Sequence, residues 1–138
     1  MNEEQLREKY FELQMTAEQV KQMQQQLAQI EAKLMEMDSH VLSLAEMKGN
    51  PKAEILAPIV DGIFVKTRLL EEDKVIINVG AGVCVEKKID DAIALMKEKQ
   101  SEVRLAAAEL QSETQSGKQA LEKLEKEFGQ LINTRENV

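Results

Sequence analysis

What this 138-residue chain has little of narrows its roles before any motif is read. It has no tryptophan, and aromatic residues make up 3% against 31% charged. Compact enzyme cores carry more aromatic bulk, whereas long helices and coiled coils run on Ala, Glu, Lys, Leu and Gln. The single cysteine, Cys84, excludes an intrachain disulfide. With His40 as the single histidine, the chain also lacks the ligands for a zinc site. No apolar run reaches the roughly 18 residues of a membrane span, and no apolar signal segment opens the chain, so a soluble, cytoplasmic protein with no membrane partner is expected. Basic residues are in the minority, and the formal net charge is −7. Residues 1–48 hold five basic and nine acidic side chains, 49–88 six of each, and 89–138 seven and ten. Acidic outer segments without a basic stripe argue against nucleic acid as a partner.

What is present is a strict heptad pattern. Leu6, Leu13, Val20, Leu27, Leu34 and Val41 recur every seven residues. Met23, Ile30, Met37 and Leu44 follow three residues after members of that row, which completes the 3–4 seam of a coiled coil. Thr16 interrupts the second row, which predicts that the seam rotates through Tyr10 and Ala17 toward the chain start. Gly49-Asn50-Pro51 is a stop signal, with Gly or Asn suited to a left-handed cap. A second seam steps by four and three through Ile89, Ile93, Met96, Gln100, Val103, Ala107, Leu110, Thr114, Gly117, Leu121, Leu124, Phe128 and Leu131. Gln100, Thr114 and Gly117 make its middle poor. Asp90 and Asp91 suit the positive end of a starting helix. Residues 3–48 and 89–133 are thus predicted to be two helices of roughly 70 Å each at 1.5 Å per residue. Their equal lengths suggest an antiparallel pair with the chain ends together.

Between them the period changes. Ile55 to Val60 and Ile63 to Leu69 flank Asp61-Gly62, a strong hairpin turn. Val75 to Val79 and Val83 to Val85 flank Gly80-Ala81-Gly82, a second hairpin. Pro58 lacks an N–H, so its strand belongs at an edge or a bulge. Four short strands are marginal alone and invite strands from other chains. The fold class is α+β: a long antiparallel coiled-coil hairpin with two central β-hairpins. Residues 1–48 are the first helix, 49–88 the oligomerisation module and 89–138 the second helix, one domain overall.

The ordered whole resembles the α class of prefoldin subunits. The match is carried by Leu56-Ala57-Pro58-Ile59, Asp61-Gly62-Ile63-Phe64-Val65 and the segment from Val75 through Gly80-Ala81-Gly82 to Lys87, inside the two helices. Two hairpins mark the α class and one the β class. The resemblance implies a heterohexamer with prefoldin β subunits, two α and four β. Their strands build an intersubunit β-barrel platform, from which the coiled coils hang. It further implies an ATP-independent holdase that captures unfolded client proteins at the coiled-coil tips and passes them to a group II chaperonin. The residues alone predict only paired helices and an assembly module. A structural coiled-coil tether and a homo-oligomeric, prefoldin-like filament chaperone remain open beside it.

Other candidates reduce to ordinary roles. His40 sits beside seam residue Val41 on a helix without a pocket, so no catalytic triad and no enzyme is expected. Cys84, between Val83 and Val85, is expected to be a buried or half-buried apolar residue. Gly80-Ala81-Gly82 lacks the third glycine and following helix of a phosphate loop. No nucleotide site is visible and no cofactor is expected. Glu71-Glu72-Asp73 reads as a solvated connector rather than a cation site. Expected client-binding residues are Leu6, Tyr10, Phe11, Leu13 and Met15 at one end, with Phe128, Leu131, Ile132 and Val138 at the other. Phe11, Met15 and Ile132 fall off the seam. Oligomerisation is expected to use Ile63, Phe64, Val65, Val75, Ile77, Val79, Val83 and Val85.

Overall fold

A computed structural model describes residues 3–50, 52–70 and 73–136. Pro51 of the stop signal, Glu71 and Glu72 of the acidic connector, and Val138 lie outside the described residues. Six elements follow in order: α1 (Glu3–Gly49), β1 (Ile55–Val60), β2 (Ile63–Thr67), β3 (Lys74–Gly80), β4 (Val83–Lys88) and α2 (Ile89–Glu136). The contacts divide the chain into two units, each drawing on both helices. The first comprises Met1–Lys33 with Val103–Val138, the second Leu34–Glu102.

In the first unit the helices run antiparallel. Lys9 meets Glu127 and Tyr10 meets Phe128, while Val20 and Met23 lie against Gly117. Every apolar member of the first row is shielded relative to its helical neighbours, and Val20 is buried. The seam does not rotate toward the chain start. Lys9 and Thr16 hold the second-row positions and are half-buried, whereas Tyr10 and Ala17 stay exposed. The lysine stem covers apolar surface while its ammonium reaches a carboxylate, so a polar residue type can occupy a seam position. Gly117 is likewise no simple gap in the packing. A Cβ there would lie 2.9 Å from Met23 Cε and 3.1 Å from Val20 Cγ2, so the missing side chain admits a close approach of α1. Thr114, only 4% exposed, satisfies its hydroxyl by donating to the Leu110 carbonyl at 2.7 Å.

The second unit holds the remainder of each helix and both hairpins. Met37, Ile89 and Ala92 are its buried apolar residues. Gln100, 4% exposed, donates through Nε2 to Asp38 Oδ1 at 2.6 Å, which pairs the buried amide with a charge. Lys48, in the last turn of α1, grips both carboxylate oxygens of Asp90 at 2.7 and 2.8 Å. Each side chain there also complements the dipole of its own helix. Helix α1 ends without the expected left-handed cap: neither Gly49 nor Asn50 takes a positive φ. The Asn50 N–H instead reaches back three residues to the Met47 carbonyl, at 3.4 Å, and the Ala53 N–H donates to the Asn50 carbonyl at 3.1 Å.

Each hairpin is a separate two-stranded antiparallel sheet. β1 pairs with β2 from Ile55↔Thr67 to Pro58↔Phe64, and the register then shifts before Val60↔Ile63. Pro58 thus sits at both an edge and a bulge, the places where its missing N–H costs no ladder bond. Gly62 has φ +79° while Asp61 does not turn positive. One left-handed glycine plus a register shift describes a bulged hairpin rather than a mirror-image turn. β3 pairs with β4 from Lys74↔Lys88 to Asn78↔Cys84, again with a shift before Gly80↔Val83. Here Ala81 (φ 52°) and Gly82 (φ 76°) are both left-handed, the pattern of a type I′ turn. The Gly80 N–H donates to Asn78 Oδ1 at 2.9 Å, which fixes the bulge. β4 runs straight into α2: Ile89, 1% exposed, donates its N–H to the Asp73 carbonyl at 2.7 Å.

Candidate functional site

Two surfaces carry apolar side chains that the chain itself does not cover. The first is the pair of hairpins. Ile63, Phe64 and Val65 of β2 are all exposed, Phe64 by 56%. Alternation puts Phe64 on one face with Pro58 and Leu56, and Val65 on the other with Ala57 and Ile55. Only the second of these faces is partly shielded, at Ile55 and Ala57. In the second hairpin Val75 and Ile77 are half-buried, and they share a face with Val79 and Val85. Val79 and Val83 are exposed. The opposite face carries Ile76, 74% exposed, across from Glu86. Leu56, Ile59, Val60 and Ile76 are also exposed apolar residues of the hairpins, beyond those expected for oligomerisation. Their signal was in the sequence, because a run apolar at successive positions has apolar groups on both faces. Cys84 is exposed rather than shielded, since it shares the uncovered face with Ile76 and Asn78.

The second surface is the terminal end of the first unit. Phe11 is 65% exposed and Met15 is 49% exposed, on the outer side of α1. Leu6, Leu13, Phe128 and Leu131 are half-buried along the seam, and so is Ile132, which the heptad frame placed off it. Tyr10 flanks the seam at 49% exposure, with its ring centroid 5.7 Å from that of Phe128 at a 38° tilt. Its hydroxyl oxygen accepts from Gln14 Nε2 at 2.9 Å. Beside this ring pair, Lys9 Nζ lies 2.7 Å from Glu127 Oε2 and 4.0 Å from Glu12. The hydrogen bond from Lys9 holds the Glu127 carboxyl below its ordinary range, and the same bond raises the Lys9 ammonium.

His40 is exposed on α1, with Nε2 3.9 Å from Glu36 one turn away. Among the described residues no three His, Cys, Asp or Glu side chains converge as a metal site, and no helix is long and apolar enough to cross a membrane.

Two long helices bracketing two uncovered β-hairpins define a subunit class, one whose strands present their apolar faces and whose helices pair along a heptad seam. Residues 4–134 match the Prefoldin family, described as "Prefoldin subunit", and the chain belongs to that family. It is 28% identical over 132 residues to "Prefoldin subunit alpha" of Nitrosopumilus maritimus, covering 86% of this chain and 91% of that one. The corresponding protein of Methanococcus aeolicus is 28% identical over 136 residues, covering 99% and 92%. The fold is similar to the cryo-EM structure of filamentous PFD from Methanocaldococcus jannaschii. That match has a TM-score of 0.62 and 16% identity, and covers 88% of this chain and 95% of that one.

Proposed function

We propose that this chain is the α-type subunit of a cytoplasmic, ATP-independent holdase and is not an enzyme. The observation that carries the reading is the apolar surface left bare at two separate places. On the hairpins, residues such as Phe64, Ile76 and Val79 are held in strands with unpaired edges, which favours assembly with further strands. The partners that fit are smaller β-type prefoldin subunits, two copies of this chain to four of theirs, closing the strands into a barrel. On the helix ends, Phe11 and Met15 sit on exposed helical turns without a shaped pocket. That suits loose capture of many unfolded chains, with avidity across several arms replacing tight single contacts. Release follows by competition when a group II chaperonin takes the client.

Self-assembly into a filament is the second reading. It draws on the likeness to the filamentous structure and on the edges of both hairpins. The native mass of the tagged chain from its source cells separates the two. Two copies with four smaller coiled-coil chains supports the hexamer, and a ladder of copies of this chain alone supports the filament. A chain trimmed of residues 1–13 and 127–138 is expected to assemble normally and to lose suppression of client aggregation. A trimmed complex that protects as well as the full one refutes capture at the helix ends and leaves the tether reading.

A further inference from the structure

Lys9 stands where the heptad seam calls for an apolar residue. It stays there, its side chain 34% exposed, because Glu127, 36% exposed, neutralises it at 2.7 Å. The Lys9 stem covers apolar surface, and its ammonium, at the rim of the seam, is held toward α2 by that carboxylate. Its alternative intrahelical partner, Glu12, is 4.0 Å away and lies on its own helix, so it cannot hold the two helices together. The neighbouring Tyr10–Phe128 ring pair is a further cross-helix contact in this layer. The apolar residues here form two tiers. Phe11 and Met15 face water in the closed arrangement, while Leu6, Leu13, Phe128 and Leu131 are half-covered along the seam.

We propose that the Lys9–Glu127 pair is a latch: an autoinhibitory contact that keeps the second apolar tier covered until the helix ends part. The proposal rests on the reading that clients bind at these ends. When the pair breaks, Lys9 moves to water and no longer fills its seam position. The layer then opens, and Leu6, Phe128 and Leu131 join Phe11 and Met15 as capture surface. The depressed Glu127 carboxyl and raised Lys9 ammonium agree with a pair that holds in the closed arrangement.

Tyr10 is the single tyrosine, so 3-fluorotyrosine incorporated into the full chain gives one ¹⁹F resonance, reporting the ring pair beside the latch. The full chain, assembled with unlabelled partners, is compared with Lys9→Glu, Lys9→Met and the swapped pair Lys9→Glu/Glu127→Lys. Suppression of aggregation of reduced, unfolded lysozyme is read in parallel. Lys9→Glu is expected to move the resonance toward its solvent position and to lower the concentration for half-suppression several-fold. Lys9→Met, which completes the apolar seam, is expected to move both the opposite way. The swapped pair returns both toward the wild type, which also excludes misfolding as the cause. A resonance that fails to separate the variants overturns the latch whatever the client data. A resonance that separates them while suppression stays constant overturns the gating, and the trimmed chain then decides independently whether the ends capture clients.

Discussion

Placing a carboxylate at Val79 tests the assembly surface most directly. Val79 is 58% exposed on β3, so the isolated chain loses little packing when it is replaced. On the proposed assembly surface the cost falls on association instead. Fully burying a valine side chain is worth roughly 1.5–3 kcal/mol, so covering its exposed part on association contributes roughly 1–2 kcal/mol per chain. An aspartate there forfeits that contribution and brings a charge into the interface, at a further cost of several kcal/mol if no partner neutralises it. At about 1.4 kcal/mol per tenfold, a combined loss near 4 kcal/mol weakens association by about three orders of magnitude. Val79→Asp should therefore keep the helical circular dichroism of the chain while its native mass collapses to small species at concentrations where wild type is fully assembled. Ala108→Glu, an exposed change on α2, supplies the charge control and should assemble normally. A Val79→Asp chain with wild-type native mass and the same dilution midpoint would show that the β3–β4 hairpin is not part of the interface.

Four further outcomes follow from three residues. Ala81 holds φ at 52°, which costs an L-residue about 1–2 kcal/mol that glycine avoids. Set against glycine's greater unfolded-state freedom, about 0.5–1 kcal/mol, Ala81→Gly should stabilise the hairpin by about 0.5–1 kcal/mol, read as a higher denaturant midpoint of the assembled protein. Gly117→Ala should be nearly neutral, because about 1 kcal/mol of helix propensity is offset by crowding against Met23, whose end methyl can swing, and Val20, which is stiff. Gly117→Leu should destabilise by about 1–3 kcal/mol in thermal unfolding, since no rotation of Met23 alone makes room for it. Glu127 has its carboxyl held below the ordinary value of 4.5, so its contribution is complete above that value and lost as the pH falls through the lower folded-state value. Lys9, raised above 10.5, stays charged across that window. The Tyr10 resonance should therefore be constant from neutrality down to about pH 5 and move only in more acidic solution.

The elements that rest on periodicity were legible in the sequence. Both helix spans follow from the heptad rows, and both hairpins from the Asp61-Gly62 and Gly80-Ala81-Gly82 punctuation. Illegible were the features that depend on what stands across from a residue. The seam was expected to bend toward Tyr10 and Ala17 because Lys9 and Thr16 are polar types. The structure keeps the frame straight, since Glu127 on the other helix gives the lysine a partner. Gly117 looked like a defect from propensity alone, and only the nearness of Val20 and Met23 reveals the approach it permits. Cys84 was expected to be shielded because its neighbours are valines. One strand in isolation does not say which of its faces is covered, and Cys84 lies on the bare one.

The polar residues of the α2 seam bear on why a helix pair should tolerate them. Gln100 and Thr114 are buried yet hydrogen-bonded, one through Nε2 to Asp38 across the seam and one through its hydroxyl to the Leu110 carbonyl of its own helix. Apolar residues in their place would add burial, but Leu against Leu fits at every heptad offset, whereas the Gln100 amide meets a carboxylate at Asp38 or, one heptad earlier, Glu31, and an alanine at position 45. Within the first unit a slip by a heptad would set Ala120 or Thr134 in place of Glu127 and leave the Lys9 ammonium without its cross-helix partner. Register is what such a device protects. Lys9–Glu127, Gln100–Asp38 and Lys48–Asp90 each join α1 to α2 by a charged group, and Lys9 and Lys48 each lose their carboxylate when their own unit shifts by a heptad. Lys9 and Gln100 each give up apolar interface for a partnered polar contact, and at Lys9 that contact ties the two helices in the layer beside the exposed Phe11 and Met15.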